Sequence, residues 1–122
     1  MTDVSKNLFR FLDWEVYKNS QEVFREILET VRKLPPDVRY SVGSQVLRST
    51  LSIILNIAEG SGRGTDKELN RFFNISIGSI NETVACLDTL LKSGHITNEK
   101  FNSLFEKLKS VSRQLGGFKK IL

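Results

Sequence analysis

Residues 41–63 read SVGSQVLRSTLSIILNIAEGSGR, and the fold turns on how that run winds. A half-buried strand would alternate apolar and polar side chains, and this run does not. Wound as a helix at ~100° per residue, Val42, Val46, Leu47, Leu51, Ile53, Ile54, Leu55, Ile57 and Ala58 sweep about 220° of its surface. One bundle core occupies an arc only somewhat wider than ~100° of each helix. The remaining arc is polar yet nearly uncharged. Gln45, Ser49, Ser52 and Asn56 follow one another at helical spacing, with Glu59 next and Arg48 alongside. The most apolar part, Leu51 to Ala58, spans 8 residues and includes Ser52 and Asn56. A membrane span needs about 20.

Upstream, Pro35-Pro36 stops a preceding helix, because neither residue donates an amide hydrogen and each disfavours helix in the residue before it. Downstream, Gly60, Gly62 and Gly64 make a second break, and Thr65-Asp66-Lys67-Glu68 reads as a capping box opening the next helix. Gly94 suits a left-handed helix end, and Thr97 suits the cap of the helix that follows. Helices are therefore expected near 13–34, 41–61, 66–93 and 97–115, within a single domain over 1–122. In the first, Trp14, Tyr17, Phe24, Ile27, Leu28, Val31 and Leu34 recur at helical spacing. The third spreads Ile75, Cys86, Leu69, Leu87 and their neighbours over about 200°, and Asn74, Gly78, Asn81 and Ala85 on its other side suggest close helix approach. In the fourth, the apolar residues, Phe101 and Phe105 among them, cover one arc of about 120° and fit the core. Short connections make neighbours antiparallel, so the expected fold is an all-α, up-down four-helix bundle. The wide apolar arcs of the middle helices predict a homo-oligomer built mainly through those two helices.

The chain carries 18 Lys+Arg against 14 Asp+Glu, a formal charge of +4, which matters because of its position. Residues 95–122 hold 6 basic groups (Lys100, Lys107, Lys109, Arg113, Lys119 and Lys120) and 2 acidic ones, which accounts for the whole excess. A charge so concentrated points to a polyanion or to a solvated basic face. One cysteine, Cys86, and one histidine, His95, exclude internal disulfides, zinc clusters and two-histidine catalysis. The N-terminal residues, interrupted by Asp3, Lys6, Arg10 and Asp13, lack the apolar core of a signal peptide, so a cytoplasmic, non-membrane protein is expected.

The block from Ser52 through Ile53, Asn56, Ile57, Ala58, Glu59, Gly60 and Gly62 to Arg63, followed by Lys67-Glu68, Arg71-Phe72 and Gly78-Ser79-Ile80-Asn81-Glu82-Thr83, resembles the signature of the 23S ribosomal RNA intervening-sequence proteins, the S23-type four-helix bundles. Trp14, Tyr17 and Leu34-Pro35 fit as well, so the resemblance covers most of the chain. It implies a four-helix bundle assembling as a ring, typically a homopentamer, with no established enzymatic activity. It also implies a relation to an accessory bundle of diversity-generating retroelements that works with nucleic acid and a reverse transcriptase. Family members often carry two basic residues where this chain has Leu47-Arg48.

Asn56, Glu59, Arg63 and Glu82 match the family pattern and carry polar chemistry. A di-metal bundle would need several Glu and Glu-x-x-His pairs, and His95 belongs to none. Glu59 and Glu82 are accordingly expected to join Gln45, Asn56 and Asn81 in a structural polar network, with no catalytic residue, metal or cofactor. Gly60-Ser61-Gly62-Arg63-Gly64 follows a helix rather than a strand and lacks the Lys-Ser/Thr ending of a nucleotide loop. The candidate contacts to RNA or DNA are Arg48, Arg63, Lys109, Arg113, Lys119 and Lys120, with Lys109, Arg113 and Lys120 within about 40° of one another if the fourth helix continues. Five copies in a ring would carry about +20. The expected function is thus a non-enzymatic, ring-forming, nucleic-acid-binding bundle, serving as accessory to a ribonucleoprotein or a retroelement's reverse transcriptase. The alternative is a protein-interaction scaffold without nucleic-acid binding.

Overall fold

The computed structural model describes residues 8–120, with side chains through Phe118. Four long helices, α1 (Glu15–Arg32), α2 (Ser44–Ser61), α3 (Asp66–Lys92) and α4 (Asn98–Lys120), make up an all-helical bundle with no strand among the described residues. Each of α1 and α3 packs against both α2 and α4, so α1 faces α3, and α2 faces α4, across the bundle diagonal. Ile27, Ile53, Ile57, Phe73, Leu87, Leu104, Leu108 and Leu115 are fully buried at the centre. Burying each such side chain contributes roughly 1.5–3 kcal/mol.

The helix ends follow from their side chains. Thr65 Oγ1 accepts from the Glu68 amide at 3.2 Å, and Thr97 Oγ1 accepts from the Lys100 amide at 3.1 Å, so each satisfies a donor that the first turn leaves open. At the end of α3 the His95 amide donates to Leu90 O at 2.9 Å and the Gly94 amide to Leu91 O at 3.0 Å. That pair of bonds requires the left-handed φ of +79° at Gly94.

Two boundaries differ from the sequence expectation. The chain is already helical at Pro36, where a short turn (Pro36–Val38) and a wide turn (Arg39–Gly43) lead into α2 without a break. Pro36 begins that turn because a first helical position has no amide bond to lose. Helix α4, expected to stop at 115, runs through Gly116-Gly117 to Lys120. Phe118 holds it there, its ring 4.9 Å from Trp14 and 5.2 Å from Phe73.

Helices α2 and α3 meet along a seam of hydroxyls. Ser49 and Thr83 share a buried hydrogen bond at 2.7 Å, Ser52 and Ser79 one at 2.8 Å, and Ser76 donates to Ile53 O at 3.0 Å. Such small groups let two backbones approach closely. At the joined end a Cβ on Gly60 would lie 2.8 Å from Phe72 Cβ. The close approach expected of Asn74, Gly78, Asn81 and Ala85 is therefore made by Ser76, Ser79 and Thr83, and those four residues are exposed. The outer surfaces of the same helices leave Leu51 41%, Leu55 54% and Ile75 40% exposed.

Candidate nucleic-acid interface

The basic residues of the last quarter of the sequence are dealt to different surfaces by the 3.6-residue period of α4. Lys107 points towards α1 and is bound by Glu26. Lys100 lies at the other end of the helix, beside His95 and Lys33 around a cavity of about 240 Å³. Lys109 and Arg113, one turn apart, face the α3–α4 groove. There they line a notch of about 280 Å³ with Ile80, Asn81 and Val84 of α3 and Phe105 and Ser112 of α4. No carboxylate lines that notch. Among the described residues, Lys109 has only a 4.0 Å approach from Glu106 of its own helix, and Arg113 makes no ion pair. Two cations half in solvent beside an amide and a hydroxyl form an anion-attracting surface over an apolar floor. Lys119 and Lys120 belong to the last turn of α4, but their side chains lie outside the described residues.

Arg48 and Arg63 sit elsewhere: Arg48 on α2, across the bundle diagonal from the helix of Lys109 and Arg113, and Arg63 in the turn between α2 and α3. Arg48 is exposed on the outer surface, with no ion pair among the described residues. Arg63 is occupied: it donates to Glu59 at 2.8 Å and stands 4.8 Å from the Phe72 ring. Arg71 covers the same ring at 4.5 Å and donates to Glu68 at 3.0 Å. That hydrogen bond holds the Glu68 carboxyl below the usual carboxylate range. The Arg63–Phe72–Arg71 stack thus braces the α2–α3 turn, with each guanidinium matched by a carboxylate.

The five residues expected to share a polar network do not meet in one. Asn56 donates to Ser52 O at 2.8 Å and to Ser52 Oγ at 3.1 Å, which ties it to the hydroxyl seam. Glu59 belongs to the Arg63 pair, while Gln45, Asn81 and Glu82 are exposed. Gln45 and Glu82 line a separate cavity of about 440 Å³ with Val42, Ala85 and Cys86. Burial, then the Glu82 charge, pushes the Cys86 thiol up, so it stays protonated and weakly nucleophilic at neutral pH. This cavity is lined by a carboxylate and no cation, which makes it a poor seat for a polyanion. Among the described residues no group of three or more His, Cys, Asp or Glu could hold a metal ion, and no helix is long and apolar enough to cross a membrane.

Of the notch residues, the sequence reading does not single out Ser112, puts Asn81 in the polar network, and takes Phe105 for core. Phe105 reads as core, since it falls on the apolar arc of α4, yet unlike Phe101 and Phe118 it is not packed against the central core. The available signal was its position four residues before Lys109 and eight before Arg113, at the edge of that arc.

These features define a class: an all-helical, four-helix bundle whose middle helices are joined by a hydroxyl seam and whose last helix carries an outward basic edge. The model of the 23S rRNA-intervening sequence protein family matches residues 12–117, and the chain belongs to that family. A crystal structure of a protein of unknown function from the S23 ribosomal protein family of Bacteroides thetaiotaomicron shares the fold. Its TM-score is 0.79 at 24% sequence identity, covering 86% of this chain and 98% of that one. A comparison with curated proteins finds no match.

Proposed function

We propose that this chain is a non-enzymatic, cytoplasmic bundle that binds the phosphate backbone of RNA or DNA through Lys109 and Arg113, working as a homo-oligomeric ring. The observation that supports it most is the pairing of these two cations along a groove edge free of carboxylates, with Asn81 and Ser112 beside them. Assembly through the outer faces of α2 and α3 would cover Leu51, Leu55 and Ile75, apolar side chains that a single copy leaves in water. The α3–α4 groove lies on the other edge of α3 and would remain open. A ring, five-membered if it follows the family resemblance, would then repeat the basic edge around its circumference and multiply a modest affinity. The role suited to such a ring is accessory, holding nucleic acid for a ribonucleoprotein or a reverse transcriptase.

Filter binding to a structured RNA at several salt concentrations tests the nucleic-acid reading. Phosphate contacts release counterions, so binding should weaken steeply with salt, and the Lys109→Glu, Arg113→Glu double variant should lose most of it. Failure of the native chain to bind at low salt refutes the reading. In that case the scaffold alternative, favoured by the exposed Leu51 and Leu55, takes its place. Sedimentation at micromolar concentration tests the assembly separately, and a monomer there refutes it.

A further inference from the structure

We infer that the α3–α4 notch is a seat for one unpaired nucleotide, which makes the chain a reader of single-stranded nucleic acid rather than of duplex. The inference rests on the nucleic-acid reading above and names the form of the partner. Phosphate binding alone explains Lys109 and Arg113, but not the rest of the notch. Its floor is Ile80 and Val84, and one wall is the half-buried ring of Phe105. Apolar walls offer nothing to a phosphate, whereas a flat base is apolar on its faces and polar only at its edge.

The placement of Phe105 is what distinguishes the notch. Its ring lies nearly parallel to that of Phe101, at 19° and 5.8 Å between centroids. Phe101 packs against the core and does not line the notch, so it backs the Phe105 ring from one side while the notch opens beside it. Asn81 and Ser112, whose side chains have no hydrogen-bond partner among the described residues, complete the rim with amide and hydroxyl groups able to meet a base edge. Lys109 and Arg113 stand where the attached phosphate would lie. A paired base, stacked above and below, cannot turn a face into such a notch, so selection for single strands follows from its shape.

Fluorescence anisotropy with a labelled, unstructured 20-nucleotide strand, alone and annealed to its complement, tests this at low salt. The native chain should bind the single strand at least about tenfold more tightly than the duplex. Phe105→Leu keeps the apolar bulk and should weaken single-strand binding by about five- to a hundredfold, the range of one lost base stack, with duplex binding unchanged. Phe105→Trp should retain affinity, and its emission should be quenched on binding the single strand. Equal binding of both forms together with an unaffected Phe105→Leu variant overturns the inference and leaves backbone binding standing. No binding of either form by the native chain overturns both.

Discussion

Replacing Gly60 and Gly78 by alanine, one at a time, should move stability in opposite directions. Both lie within helices, so each alanine gains intrinsic helix propensity of about 0.8–1 kcal/mol. At Gly78 the new methyl meets nothing within 4 Å, and the gain is kept. At Gly60 it would sit 2.8 Å from Phe72 Cβ and 3.2 Å from Leu69 Cδ1. Carbon atoms pack best at about 3.5–4.0 Å, so the first contact is short by roughly 1 Å. The leucine methyl can rotate away. The two Cβ atoms cannot, because both are fixed to backbone, so α2 and α3 must part at their joined end. Overpacking of this kind costs about 1–3 kcal/mol, which after the propensity gain leaves Gly60→Ala, at the middle of that range, about 1 kcal/mol less stable than the native chain. The two variants should therefore differ by about 2 kcal/mol, or about 8 °C in Tm for a domain of this size. Urea unfolding of all three proteins at one concentration measures it. A Gly60→Ala variant as stable as the native chain would refute the close approach of α2 and α3.

Two further outcomes follow. Thr83→Val keeps the shape of the seam but removes the hydroxyl shared with Ser49 and the bond from Thr83 Oγ1 to Ser79 O, and should cost about 1–2 kcal/mol in urea unfolding. Glu68 contributes through a carboxyl held low by Arg71, so its contribution is present above the unfolded pKa near ~4.3 and lost as pH falls below it. The stability difference between native and Glu68→Gln proteins should therefore narrow between neutral and strongly acidic pH.

Much of the fold is written locally. Thr65, Gly94 and Thr97 mark helix ends because each satisfies backbone groups within a few residues, and the 3.6-residue period of α1 and α4 names the core face. What escaped depends on distant partners. The sequence reading ends α4 at 115, and the contact of Phe118 with Trp14 and Phe73 goes with its continuation through Gly116-Gly117. The polar arc of α2 is visible as unusual, yet nothing in its own spacing says that Ser49 and Ser52 turn towards α3. Basic residues cluster in sequence, but the turn of α4 separates Lys107 from Lys109, and only the neighbour across the groove makes Phe105 part of a notch.

The aromatic contact of Trp14 and Phe118 also bears on the order in which the bundle forms. Helices α2 and α3 are joined by a short turn and make their seam between residues near in sequence, so closing that hairpin costs little chain entropy. Trp14 and Phe118 come from opposite ends of the described chain, and their meeting must wait until α1 and α4 have both docked. Contacts of such wide separation form slowly and late. Trp14 is the chain's single tryptophan, so its emission during refolding reports the last step of the process, while far-ultraviolet ellipticity reports the first.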